Sequence, residues 1–308
     1  MTQAKIRLSL WPVALLAALL QAGCQPASAP AGHAPQLPAQ ASQRAASRPV
    51  EAAYVLRDRL LAHDGAGFAR LAVPPALHAQ LAQAWTEGRS RWPLDELPLD
   101  ARIPPMLAAL QAPGAETALM TTFRKQFAGA DADIDQAIRT LVVFGGEYVQ
   151  KEAAYTPEER DHIAQSIRAL GDWGVRAPLS DPARARSFFT ALCAAARRSG
   201  IDGKAMPKAF ARLGMTQSLN RLSPFLSTLL DQLRRQYGLD IDASLRSLQV
   251  ELMQQTGDSA RLRLRYELAG QPVDAVVPAV RIDGHWYLAN LVRRAQASAM
   301  GGDAPPPP

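Results

Sequence analysis

The residues whose types could do chemistry are few: five histidines, two cysteines, one close group of carboxylates and one row of arginines. His33, His63, His78, His162 and His285 include no pair spaced i,i+4 and no HExxH-type set, so no metal site is expected. No cofactor is expected either, since a glycine-rich phosphate loop is missing. Gly145-Gly146 reads as a helix break or bend. The serine-acylase signals G-x-S-x-G and S-x-x-K are also missing. Glu158, Glu159 and Asp161 are the densest acidic group, and paired carboxylates can cleave glycans. Their place in the first turn of a helix already has an electrostatic reason, because the helix N-terminus attracts negative charge. Cys193, in an apolar helical run, reads as a small buried hydrophobe. Arg261, Arg263 and Arg265 alternate along one strand and share one face. They form a candidate docking strip for an acidic partner or anionic headgroups, or a solvated face partly neutralised by Glu251.

Cys24 has a different kind of chemistry open to it. Lys5 and Arg7 precede the apolar stretch Leu8 to Leu20, which is too short to cross a bilayer core of ~30 Å. It has the form of a secretory signal. The run Leu19-Leu20-Gln21-Ala22-Gly23-Cys24 resembles the lipobox of bacterial lipoproteins, with Gln21 where that family usually has an apolar residue. The resemblance implies cleavage before Cys24 and a diacylglycerol on its thiol. Gln25, where an aspartate would favour inner-membrane retention, implies the outer membrane, facing the periplasm. A plain cleavage site at Ala27-Ser28-Ala29, followed by Pro30, is the alternative, and it would leave a soluble periplasmic protein.

Stepping outward, these residues need elements to position them. The expected organisation is a signal peptide over 1–23, a disordered tether over 24–47, a helical unit over 48–176, helices plus an antiparallel sheet over 177–295, and a disordered tail over 296–308. The tether is alanine, proline, glutamine and serine, which bury too little surface to offset ordering entropy. Hydrophobic content of 48% and charged content of 20% are ordinary for a folded chain. The net charge of +6 falls to +4 without Lys5 and Arg7, and the arginines are spread among acids. Export and the lack of an aromatic–basic motif argue against nucleic acid.

Four segments recur in order. Asp64-Gly65 with Phe68 to Leu71 returns as Asp202-Gly203 with Phe210 to Leu213. Pro105 to Leu107 returns as Pro224 to Leu226, Phe123 to Phe127 as Leu233 to Tyr237, and Asp133 to Asp135 as Asp240 to Asp242. Two tandem related units are therefore expected. Leu222, Phe225, Leu226, Leu229, Leu230, Leu233 and Tyr237 make one apolar helical stripe. Thr156-Pro157-Glu158-Glu159, Asp181-Pro182, Ser223-Pro224, Pro74-Pro75 and Pro104-Pro105 read as helix starts, and Gly171 with Gly174 as a helix stop. Trp85, Trp92 and Trp173 near turns read as core or hinge packing.

After Gly238 the period changes to two. Leu252 is expected opposite Leu262, Val250 opposite Leu264 and Glu251 opposite Arg263. Asp283-Gly284 signals a two-residue hairpin turn. Pro278 argues for an edge strand or a bulge. The fold class is thus α+β, mostly helical, ending in a four-stranded meander. Gly284, Trp286 and Tyr287 resemble the final strand of NTF2-like domains, over roughly residues 180 to 294. That resemblance implies a curved sheet under helices, whose concavity binds a small molecule in some members.

The expected function is a non-enzymatic binding or interaction module in the periplasm, held to the membrane by an N-terminal lipid. Its partner would be an envelope protein or a small ligand. An envelope hydrolase with unrecognised acid–base residues, or an inhibitor or immunity-type lipoprotein, is the alternative.

Overall fold

The computed structural model describes residues 45–97, 100–153 and 155–301. Cys24, the signal segment, residues 24–44 of the tether and residues 302–308 of the tail lie outside the described residues. Ten helices come first: α1 (Glu51–Leu61), α2 (Gly65–Leu71), α3 (Pro75–Thr86), α4 (Ile103–Gln111), α5 (Ala115–Gln126), α6 (Asp131–Lys151), α7 (Pro157–Arg176), α8 (Pro182–Arg198), α9 (Met206–Tyr237) and α10 (Ile241–Ser247). Two 3-10 turns, Leu94–Glu96 and Asp100–Arg102, lie between α3 and α4. Strands β1 (Gln249–Thr256), β2 (Ser259–Leu268), β3 (Gln271–Ile282) and β4 (His285–Leu288) follow, and α11 (Ala289–Met300) ends the described chain. The fold is α+β, as the change of period requires.

Helix starts obey local chemistry. The Thr156 hydroxyl accepts from the Glu159 amide at 3.2 Å, and the Glu159 carboxylate accepts from the Thr156 amide at 2.8 Å, a complete capping box. Asp181 caps α8 through two amides, and Pro75 sits in the first turn of α3. Ser223-Pro224 does not open a helix; Pro224 lies inside α9, and the helix is interrupted earlier, at Gly214 (φ 74°, ψ 169°). The Ser223 hydroxyl bonds back to the Leu219 carbonyl at 3.0 Å, so its polar group is satisfied within the helix rather than at a cap.

Glycine carries a second correction. Gly171 and Gly174 do not stop α7, and Gly145-Gly146 does not break α6; all four are helical. Gly171 and Gly174 let two helices approach. A Cβ on Gly171 would come within 2.2 Å of a Val142 methyl, and one on Gly174 within 3.1 Å of Ile138. Gly145 faces Ile167 at ordinary contact distance. The result is a tight α6–α7 hairpin sealed by Ile134, Ile138 and Val149.

One apolar core crosses the expected boundary at 176–177. Leu81, Trp85, Trp92 and Trp173 share it with Leu192, Phe210, Leu219 and Leu229. Trp173 also donates its indole N–H to the Tyr237 carbonyl at 2.8 Å. The recurring segments sit in different elements: Pro105 near the start of α4 but Pro224 deep in α9, Asp133 in the first turn of α6 but Asp240 at the N-cap of α10.

The sheet is a meander ordered β1-β2-β3-β4. Leu252 pairs with Leu262, Val250 with Leu264 and Glu251 with Arg263, and a bulge follows Leu252. The hairpin turn has Asp283 and Gly284 both at positive φ, 50° and 81°, as a type I′ turn demands. Pro278 lies on β3 beyond the reach of the short β4, so locally it does face an open edge. Part of that edge is taken by a side chain: the Gln165 amide donates to the Asp274 carbonyl at 2.8 Å and accepts from the Asp274 N–H at 2.9 Å. One sheet face, with Leu262, Leu264, Val277, Ala279 and Trp286, packs on Ala52 and Ala53 of α1. Ala46, within the expected tether, is buried beside Trp286 and its carbonyl accepts from the Trp286 N–H at 2.9 Å. At the other end α11 extends to Met300 because Val292, Ala295 and Ala297 bury one of its faces.

Candidate functional site

The arginine row lies where period two places it, and each member has an acidic partner. Arg261 bonds Glu158 at 3.2 Å, Arg265 bonds Glu251 at 2.7 Å, and Arg263 forms a fork with both oxygens of Asp274. The Arg263 guanidinium holds the Asp274 carboxyl below its usual range. The strip is therefore a ladder of exposed ion pairs, and an acidic partner would have to displace three carboxylates to use it.

Glu159 has a role that its place in a first helical turn did not reveal. It is only 7% exposed. Besides capping α7, it accepts from Arg293 at 2.7 Å and from Arg294 at 3.2 Å, both on α11. Arg294 reaches on to Glu96 at 2.8 Å and lies over the Tyr155 ring at 4.9 Å. Burial pushes the Glu96 carboxyl up, against the pull of Arg294. Nearby, Ser298 donates to Asp95 at 2.6 Å. This cluster ties the last helix to the body.

The remaining titratable groups are scattered. His63 ends α1 in the left-handed region (φ 50°) and contacts Asp242 of α10 at 3.1 Å. The pair lines a cleft of about 320 Å³ with Ser227, Asp231 and Arg234. His162 contacts the Tyr266 hydroxyl at 2.7 Å, and burial lowers its pKa. The Cys193 thiol is fully buried, which pushes its pKa up to about 11 and leaves it protonated and unreactive. Among the described residues no set of three or more His, Cys, Asp or Glu gathers as metal ligands, and no helix is long and apolar enough to cross a membrane.

The feature that sequence reasoning passed over is the outer face of α6. Val143 is 64% exposed, Phe144 68% and Tyr148 64%, with Leu141 at the margin. The signal was legible: Leu141-Val142-Val143-Phe144 is apolar on four successive positions. A helix turns ~100° per residue, so four such residues cannot all face one neighbour. Val142 faces α7 at Gly171; its flanking residues point away. Scattered exposed apolar residues are normal on proteins, and these, gathered within two turns of one helix, form a candidate contact surface.

Comparisons of this chain with protein-family models, with curated proteins and with solved structures find no match. The functional reading therefore rests on the residues themselves.

Proposed function

We propose that this chain is an envelope lipoprotein, carried on a lipid at Cys24, whose folded body is an interaction module rather than an enzyme. The observation that supports the reading best is the exposed apolar face of α6, built from Val143, Phe144 and Tyr148 on a helix whose other side is closed against α7. The proposed location is the outer membrane, facing the periplasm, and the partner is a protein surface met there. A small ligand is less well supported, because the sheet face is filled by α1.

Two measurements test this. Cys24→Ser should move the chain from the membrane fraction to the soluble fraction of cells; continued membrane retention refutes the lipid anchor. Phe144→Glu should remove the cross-linked adducts that the wild-type chain forms in intact envelopes, with its thermal melting unchanged. Adducts that persist would show that α6 is not the contact face.

A second reading, an envelope hydrolase, is favoured by one observation: a histidine–carboxylate pair, His63 with Asp242, at a cleft that also holds the Ser227 hydroxyl. Hydrolysis of an ester or glycan substrate by the wild-type chain, abolished by His63→Ala, would establish it over the first.

A further inference from the structure

The charges beside the apolar patch on α6 follow an order that selects a partner. Asp135, Arg139, Val143, Glu147 and Lys151 are spaced four apart and form one ridge along the helix. Read along the chain, the ridge is negative, positive, apolar, negative, positive. A two-fold axis through Val143, perpendicular to the helix, exchanges the two ends. It sets Asp135 of one copy against Lys151 of the other, and Arg139 against Glu147, with both copies of Val143 on the axis. All four ionic contacts then join opposite signs. A parallel two-fold arrangement, which is necessarily in register, puts like on like. An antiparallel arrangement slipped by one ridge position, toward either end, sets two residues of the same sign against each other. Among two-fold arrangements only this one sets all four charges against opposite signs, as a self-complementary isologous interface requires.

We infer that a second copy of this chain is the occupant of the α6 face, paired antiparallel about Val143. This rests on the proposal above that α6 is a contact surface, and it names the partner. Two observations on the helix agree with it. Neither Asp135 nor Arg139 forms an ion pair among the described residues. Glu147 and Lys151 pair with each other across one turn at 2.9 Å, both well exposed, a contact weak enough to be exchanged. Phe144 lies about 100° round the helix from Val143 and borders the ridge on one side, with Tyr148 and Leu141 beyond it.

The full chain purified in mild detergent is the material for the test, with sedimentation velocity as the readout. The wild type is expected to be a dimer. Arg139→Glu and Glu147→Arg should each weaken dimerisation at least tenfold, and the two together should restore it, since the swap keeps the complementarity with signs reversed. That rescue separates an interface effect from misfolding. In a Cys24→Ser background, Val143→Cys should form a disulfide-linked dimer under mild oxidation. Gln150→Cys should not, because its two copies would lie about 20 Å apart along the helices. A monomeric wild type, or equal cross-linking at both positions, overturns self-pairing. So does Phe144-dependent flotation of a monomer with anionic phospholipid vesicles. If the chain is monomeric and Phe144→Glu still removes envelope adducts, self-pairing falls and the interaction reading stands. If Phe144→Glu changes neither association state nor adducts, both fall.

Discussion

Two sets of arginines in this molecule have the same chemistry and opposite circumstances. Arg261, Arg263 and Arg265 stand on the open face of β2, each about half exposed and each hydrogen-bonded to a carboxylate that is itself exposed to water. Arg293 and Arg294 on α11 are less than one-fifth exposed and converge on Glu159, which is almost wholly enclosed. In water a carboxylate–guanidinium contact exchanges one good environment for another and contributes little. Out of water the partners depend on each other, because removal of one leaves an uncompensated charge that cannot be hydrated. The row that is conspicuous along the chain is thus energetically minor. The pair at 293–294, unremarkable in sequence, fixes the last helix.

The sharpest way to break that contrast is Glu159→Ala. It should cost about 3–5 kcal/mol in denaturant unfolding, because two buried guanidiniums lose their shared partner. A loss below ~1 kcal/mol would mean water reaches the cluster and the two sets are alike. Glu96 gives a smaller effect with a distinctive pH dependence. Burial raises its folded pKa above the ordinary 4.5, so the native state takes up a proton more readily than the unfolded chain. Its contribution is therefore most favourable at low pH and is lost as pH rises through the raised value. Glu96→Gln should accordingly be neutral to stabilising at pH 7, with its advantage over wild type vanishing toward pH 4.5. An advantage that grew on acidification would contradict this. Asp274 should behave in the opposite sense. Its lowered folded pKa stabilises the native state above its ordinary value of 3.8, and that stability is lost as pH falls through the lowered one. Because the pair with Arg263 is exposed, Asp274→Asn should move the unfolding midpoint by no more than its error, and less still in added salt. A large, salt-resistant loss would place the row with the buried cluster.

The parts of this fold that were legible in sequence are those set by neighbours along the chain. The capping box at Thr156, the register of Leu252 against Leu262 and the turn at Asp283-Gly284 each depend on a few adjacent residues. The errors came where tertiary packing reassigned a local signal. Glycines at 171 and 174 look like a stop until Val142 and Ile138 are seen to occupy the space that side chains would fill. Pro224 looks like a start, yet its helix is embedded in the core on both sides of it. Glu159 looks like a cap, and it is one; its arginines lie more than 130 residues away, and no spacing rule links them. The α6 face belongs to a third kind. Its four apolar residues in succession were plain in the sequence, but which of them lack a neighbour is known only once α7 is in place.

The bridge between Ala46 and Trp286 has a mechanical meaning. The first described residues lie beside β4, and a pull on them toward the N-terminus loads that point first. The load meets one backbone hydrogen bond at 2.9 Å and a buried methyl. Just behind it, Ser47 and Arg48 are clamped to the Glu51 carboxylate by side-chain and amide bonds of 2.7–3.0 Å. The first bond can yield without disturbing α1, and the clamp then takes the strain before it reaches the sheet. A body held by its N-terminus would have a fuse and a stop in series at its point of attachment.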